Sequence, residues 1–450
     1  MERKTDVLVV GGGPAGVISA VTAKQYYHQK NVLVMKDVAE GVVPCGIPYM
    51  FGSLKDPVEN KLGNASLEKN HIECVVDKAV KIDREKKEVI SGQGHRYGYE
   101  KLILAVGSSP MQLPIDGIDK PGVYAIHKDL AYLRQVVHEM KSCQNVVVIG
   151  GGFIGVEFAD ELGKTPDKNV TLVEMLPSIL ANSFDPEFSE IAQEKLGRDH
   201  VKIFTGVSVK KVEGESRVEQ VTLSNGETIP CDAVVLGVGY VPNVQIADEA
   251  GLDAERRNGI LVDEYMRTSD PDVFAVGDCA FKRDFYTRKP IPVMLASTAT
   301  AEARIAGANL YKIKVVRENK GTIAIYSTYI NGKVFGSAGL TERTAIEEGF
   351  EVAIGTVDGV DMHPGTLPGV NTSKVKLIFS KQSGIILGGQ VSGGMSCAQI
   401  INIIGVAIQK RMSYTELETL QMATHPYLTS APTVYPLVVA AQNAAYEMRV

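Results

Sequence analysis

MERKTDVLVVGGGPAG, residues 1–16, is the stretch that decides the fold. Its apolar run at 7–10 does not alternate, which suits a parallel strand buried on both faces. The spacing Gly11-x-Gly13-x-x-Gly16 then predicts a tight turn into a helix. Gly11 permits the turn, Gly13 lets backbone approach a pyrophosphate, and Gly16 allows close helix–strand packing. Pro14 and Ala15 stand at the helix start, where free N–H groups hold phosphates. An unliganded glycine turn is the plain alternative, but this position after an N-terminal strand reads as a dinucleotide site.

A second copy strengthens that reading. The apolar run at 146–149 leads into Gly150-Gly151-Gly152-Phe153-Ile154-Gly155-Val156-Glu157. The next apolar run, 170–173, ends at Glu174, about 20 residues past Gly155, where a carboxylate accepts from a ribose 2′-hydroxyl. No arginine follows in Met-Leu-Pro-Ser, so the expected ligand is NADH rather than NADPH. Phe153 is placed to cover a nicotinamide pocket, or is one more core aromatic. Glu157 on the same helix could meet the carboxamide.

The first copy departs from the rule. After Val32-Leu-Val-Met35 stands Lys36, then Asp37. A lysine cannot accept the ribose hydroxyl protons. Either Asp37 takes that role or backbone contacts hold the adenine end; Lys36 as an ordinary strand-end lysine is equally compatible. Two further segments point to FAD as the first ligand. One is a strand running from Tyr99 to the small residues Ala105-Val106-Gly107. The other, 268–278, ends in Gly277-Asp278, whose carboxylate can hold a ribityl hydroxyl. A helix-capping aspartate is the alternative there.

Cys45 lies in Gly41-Val-Val-Pro44-Cys45-Gly-Ile-Pro-Tyr49, with no second cysteine within reach of a short local disulfide. Sulfur chemistry here needs an external partner: a substrate thiol, a sulfane sulfur, or oxygen as a sulfenic acid. The segment is expected to enter a helix whose N-terminus lowers the thiol pKa, leaving Cys45 largely thiolate. The other five cysteines read as small buried hydrophobes.

In order and spacing, VLVVGGGPAG, LILAVGSSP, VVVIGGGFIGVE and DVFAVGDCA resemble the two-dinucleotide-domain flavoprotein disulfide reductases. The lone cysteine in PCGIPY is similar to their branch of coenzyme A-disulfide reductases, NADH oxidases, NADH peroxidases and persulfide reductases. The resemblance covers essentially the whole chain. It implies bound FAD and NADH, a homodimer built on a third domain, and a last segment laid over the partner's active site. It also implies cofactor contacts at Pro44 and Gly239. His425-Pro426 would then supply an acid–base imidazole and Tyr427 a phenol, although a lone histidine is more often structural. Some positions differ from the resembled enzymes. Pro14 replaces the peroxidases' histidine, which disfavours peroxidase activity. Gly41 and Pro44 stand where coenzyme A-disulfide reductases place serine and asparagine. Their tyrosine pair falls, in a loose alignment, on Thr366-Leu367.

The chain has 450 residues, enough for three domains of ordinary size. Hydrophobic content of 44% and charged content of 22% fit a globular protein. A net charge of −6 argues against nucleic-acid or anionic-membrane partners. The opening Met-Glu-Arg-Lys runs straight into a strand, so no secretory leader is expected. No apolar run reaches spanning length. Six scattered cysteines without CxxC pairs suit a reducing cytoplasm and exclude a zinc ribbon.

The expected fold class is α/β, with two Rossmann-like dinucleotide-binding domains and a C-terminal α+β dimerisation domain. Residues 1–113 and 244–320 form the FAD-binding domain, 114–243 the NAD-binding domain, and 321–450 the dimerisation domain. Turn residues at 114–117 and 240–243 suit a two-strand crossover. Asn331-Gly332 between apolar runs signals a hairpin, and 342–349 and 398–410 read as helical. The expected activity is NADH-dependent reduction of a persulfide, polysulfide or small disulfide through Cys45. An NADH oxidase using a cysteine sulfenic acid, or a coenzyme A-disulfide reductase, is the near alternative. A flavin redox sensor is the alternative from another class.

Overall fold

Val7, Leu8, Val9 and Val10 are all buried, which is why the unalternating run sits mid-sheet. In the computed structural model, which describes residues 2–198, 200–316 and 321–449, it forms strand Val7–Val10. Strand Val32–Lys36 pairs on one side and Lys101–Leu104 on the other, both parallel. Glu73–Val76 and Val273–Ala275 complete a five-stranded parallel sheet. Helix Pro14–Tyr26 leaves the central strand with its proline at the first turn, where a missing N–H costs nothing.

The second sheet repeats this plan. Asn145–Ile149 lies between Asn169–Val173 and Ala233–Leu236, with Val201–Phe204 and Val123–Ala125 outside, all parallel. Helix Phe153–Leu162 follows its central strand. A two-strand antiparallel ribbon lies between the two sheets along the chain. Its strands are Ser108–Pro110 and Tyr240–Pro242, so the outgoing strand precedes the Pro114–Gly117 turn expected to form it. That turn lies against another strand, where Asp116 bridges Lys211.

The third sheet is antiparallel, in the order Ile325–Ile330, Lys333–Gly339, Ile386–Gly393, Thr372–Ser380, Val352–Val360. Asn331 and Gly332 make its two-residue hairpin turn, both with positive φ (41° and 87°), as such turns require. The expected helices appear as Glu342–Glu347 and Ile400–Gln409. Helices Ile400–Gln409 and Pro436–Arg449 share a core with this sheet. Ile330 and Phe335 join the core of the second parallel sheet instead. Buried Lys376 reinforces that junction. It pairs with Asp185 (3.0 Å), Glu187 (2.7 Å) and Glu342 (2.7 Å), and Gln390 donates to Asp185 (2.7 Å). A lone buried ammonium would be costly, so three carboxylates around it hold its pKa above the ordinary lysine value. The FAD-domain end expected at residue 320 lies outside the described residues.

Candidate active site

Both fingerprints form open cradles at the carboxyl ends of their central strands. Gly11 has φ of 120°, and a Cβ there would lie 2.0 Å from the Ala105 carbonyl oxygen. Gly150 has φ of 103° and the same intolerance, 2.6 Å from the Gly237 carbonyl oxygen. Gly16 and Gly155 touch the backbone of Gly11 and Gly150, fixing each helix to its strand. Gly13 and Gly152 have no atom within 4 Å of a would-be Cβ, nor do Gly107 and Gly239. Those open positions leave room for a pyrophosphate beside each helix start, so the residues fit a dinucleotide in both folds. Ala15 is buried at the first helix start, and Ile154 is half-buried at the second.

The strand ends differ. The Glu174 carboxylate accepts from the backbone N–H of Leu176 (2.7 Å) and of Gly151, and is thereby held at the second cradle. Lys36 is buried, and its Nζ donates to the Ala39 carbonyl (2.9 Å), turned into the following loop; Asp37 is exposed. Of the two expectations for the first cradle, neither has a side chain poised as Glu174 is.

Asp278 follows strand Val273–Ala275 at the other edge of the first cradle, with Ala105 and Val106 on the neighbouring strand exit. Its Oδ2 accepts from Ser108 Oγ (2.7 Å) and Lys128 Nζ (3.0 Å). Burial pushes the carboxyl pKa up, but the Lys128 charge and these hydrogen bonds outweigh it and hold the group below its ordinary value. Lys128 also lies over the Tyr240 ring, at 4.9 Å.

Cys45 is exposed on a short 3-10 turn, Pro44–Gly46, followed by a second, Pro48–Phe51. This corrects the expectation of a helix start. Three residues aligned this way carry little macrodipole, so the predicted thiolate stabilisation is absent. Although the residue is exposed, the walls around the sulfur remove enough water to push the thiol pKa up. Glu157 and then Asp278 add to that shift, and Lys128 partly offsets it.

The helix that starts at the second cradle also grips the cysteine segment. Phe158 packs edge-on against Phe51 at 5.0 Å, and Glu161 accepts from the Ser53 N–H at 2.8 Å. Buried Asn60 closes the other side, its Nδ2 donating to the Val43 carbonyl at 3.1 Å. Glu157, one turn before Glu161, accepts from Thr328 of the third sheet at 2.8 Å. Burial pushes its pKa up to about 7, with Glu161 and Asp160 adding and the Thr328 bond pulling back. Phe153 stacks on Tyr326 of that sheet, with centroids 4.8 Å apart and an interplanar angle of 16°.

His425 and Tyr427, expected over the partner's active site, belong to the third domain. Both are exposed on a segment of the third domain, where the Tyr427 N–H donates to His425 Nδ1 at 3.3 Å. The His363 segment meets them through its N–H on the Pro426 carbonyl, at 3.1 Å. None of these groups is among the charges acting on Cys45. Among the described residues, no helix is long and apolar enough to cross a membrane. None of them form a His, Cys, Asp and Glu group that could hold a metal ion.

The sequence pattern of the pyridine nucleotide-disulphide oxidoreductases matches residues 5–303, and that of their dimerisation domain matches 325–434. The chain belongs to this family. It is therefore an oxidoreductase with a C-terminal dimerisation domain. A Methanocaldococcus jannaschii relative named NADH oxidase is 28% identical over 97% of this chain and 98% of its own. A Pyrococcus horikoshii relative named NAD(P)H coenzyme A polysulfide/persulfide reductase is 30% identical over 87% of this chain and 88% of its own. A solved NAD-dependent persulfide reductase from A. fulgidus superposes with a TM-score of 0.91 at 27% identity, spanning 100% of this chain and 84% of the other.

Several residues of this oxidoreductase's site carry no sequence signal. Lys128, Asn60, Glu161 and Thr328 lie outside any fingerprint or quoted motif. Only Glu161 shared a helix with one, four residues past Glu157.

Proposed function

We propose that this family member is an FAD-containing, NADH-dependent reductase of sulfane sulfur or small disulfides, acting through Cys45 as a cytoplasmic homodimer. The observation that carries the reading is an exposed cysteine with no local disulfide partner, flanked by two open dinucleotide cradles. FAD, when bound, would relay two electrons from NADH to sulfur. Gly11, Gly13, Gly16, Gly107 and Asp278 would hold it, with Pro44 beside it on the cysteine turn. Gly150, Gly152, Gly155, Glu174 and Gly239 would hold NADH. Phe153 would cover the nicotinamide pocket in the absence of nucleotide. Cys45 would attack the substrate sulfur and hold it as a mixed disulfide or persulfide. The persulfide reductase names among relatives support this reading, and the NADH oxidase name supports oxygen as the competing acceptor.

The test is NADH turnover without oxygen against polysulfide, a small persulfide, coenzyme A disulfide and then aerated buffer. Cys45→Ser should remove sulfur turnover while leaving NADH-driven flavin bleaching intact. Native turnover in the serine variant would sink the mechanism. Coenzyme A disulfide should be a poor substrate, because Gly41 and Pro44 offer it no side-chain donors. Each missing polar contact is worth about 1 kcal/mol, so several cost roughly two decades of kcat/KM. Highest efficiency with that substrate would restore the disulfide-reductase reading.

A further inference from the structure

The cysteine segment belongs to one fold by sequence and to another by packing. Its flanking strands, Val32–Lys36 and Glu73–Val76, lie in the first sheet. Yet Val42, Ile47, Met50 and Phe51 are buried with Val156, Phe158 and Leu162 in the core of the second fold. The two 3-10 turns have poorer hydrogen-bond geometry than an α-helix, so their place is set by what they touch. At one end Asn60 grips the Cys45 turn: its carbonyl accepts from the Val43 N–H at 3.0 Å, and its side chain donates to the Val43 carbonyl at 3.1 Å.

At the other end the grip comes from Glu161. It is 1% exposed, on the helix face it shares with buried Phe158 and Leu162. A buried carboxylate loses its hydration, and an apolar side chain would fill the place at less cost. Here both oxygens are engaged. Oε2 accepts from the Ser53 N–H at 2.8 Å and Oε1 from Lys164 Nζ at 2.5 Å, while Lys164 also donates to Ser53 Oγ at 3.0 Å. Gly52 lies directly against the helix. A Cβ there would stand 2.4 Å from the Glu161 carbonyl oxygen and 2.7 Å from its Oε2, an approach open only to glycine. Backbone bonds from the Met50 N–H to Ile47 (3.1 Å) and from the Ile47 N–H to Pro44 (3.2 Å) carry this anchor back to the cysteine turn.

We propose that Glu161 is a positioning residue for Cys45: it fixes the cysteine segment to the nucleotide-binding helix Phe153–Leu162 and so sets the place of the sulfur for the sulfur-reducing step. The proposal rests on the sulfur-reductase reading above and names the contact that holds its cysteine. A displacement of about 1 Å costs a reacting group on the order of 100-fold in rate. Reduction of flavin by NADH does not use Cys45 in that reading, so the two halves of the cycle respond differently to loss of the anchor.

The test uses the FAD-loaded enzyme without oxygen, with flavin reduction by NADH and its reoxidation by polysulfide followed separately in stopped flow. Glu161→Ala should slow reoxidation about 30- to 100-fold and flavin reduction by less than about threefold. Glu161→Gln keeps an oxygen for the Ser53 N–H and should stay within about fivefold of the native reoxidation rate. Hydrogen exchange gives a readout independent of turnover. Peptides spanning residues 46–54 should exchange about tenfold faster in Glu161→Ala, with those of both parallel sheets unchanged. Gly52→Ala opens the same contact from the other side and should reproduce both effects, which decides the matter should Glu161→Ala fail to fold. Equal slowing of both half-reactions, faster exchange with native reoxidation, or native behaviour throughout would overturn the assignment. Native enzyme that NADH reduces but no sulfur acceptor reoxidises would refute the sulfur-reductase reading instead, and the exchange comparison would still show whether Glu161 holds the segment.

Discussion

The two dinucleotide folds use the same backbone and end on opposite charges. In each, the glycine between the first two fingerprint glycines presses on the strand-end residue. A Cβ at Gly12 would lie 2.8 Å from Lys36 Cβ, and one at Gly151 would lie 2.9 Å from Glu174 Cβ. At Glu174 that contact is accompanied by two backbone N–H bonds that aim the carboxylate. At Lys36 the ammonium turns away to Ala39. Backbone geometry therefore makes an open turn in both folds, whereas a carboxylate held at the strand end is a separate feature, present in one fold only. The helix starts diverge in the same way: Pro14 presents no mobile group, while Phe153 rests on Tyr326 of another domain.

The harshest way to break this comparison is to damage one cradle at a time. A Cβ at Gly16 would sit 1.9 Å from the Gly11 carbonyl oxygen, and one at Gly155 would sit 1.8 Å from that of Gly150. Gly16→Ala should destabilise the chain by about 3 kcal/mol or more and yield flavin-poor protein. Gly155→Ala should keep its flavin while NADH-driven bleaching slows about 100-fold, the usual cost of a misplaced reactant. Flavin content by absorbance and bleaching by stopped flow separate the two. If both variants lose flavin alike, the cradles do not serve separate ligands.

A milder probe compares the strand ends. Glu174→Ala should raise the NADH KM by roughly tenfold or more, since a charged hydrogen bond is worth about 1.5–3 kcal/mol. Its loss should also narrow the preference for NADH over NADPH, which a merely loosened loop would not do. Adding an arginine beside position 174 should then improve NADPH use further. Lys36→Ala should shift the FAD dissociation constant by about fivefold at most, equivalent to one neutral hydrogen bond of about 1 kcal/mol. Flavin lost as readily from Lys36→Ala as NADH binding is from Glu174→Ala would make the lysine an adenosine contact after all.

The elements that were legible are those whose cause is local. The fingerprints, the buried strands and the Asn331-Gly332 hairpin each follow from a few adjacent residues with one steric demand. The environment of Cys45 was not legible, because it is assembled from four places. Glu157 comes from the second fold, Thr328 from the third sheet, Lys128 from a connector, and Asp278 from the turn after strand Val273–Ala275 of the first sheet. The helix expected at Cys45 failed for a local reason that was visible: Pro44 and Pro48 bracket a segment too short for an α-helical turn, and two 3-10 turns form instead. With the macrodipole gone, desolvation decides the state of the thiol. The crossover ribbon was misplaced because turn residues mark where a chain bends, not which strand it pairs with.

The finest difference between the folds is the aromatic at the second helix start, and it gives the smallest expected effect. The Phe153–Tyr326 stack, in the 4.8 Å range of offset ring pairs, is worth about 0.5–1.5 kcal/mol beyond burial. If Phe153 covers the nicotinamide pocket, NADH must first break that stack, and its apparent affinity is reduced by the cost. Tyr326→Leu should then tighten NADH binding by roughly two- to tenfold, measured by titration of the oxidised enzyme, with FAD content unchanged. Phe153→Ala should tighten it by the same factor, and the double variant should gain nothing more, because both changes remove one interaction. Additive gains would mean that the two rings act independently. Weaker binding in Phe153→Ala would show that the ring holds the nicotinamide instead of excluding it.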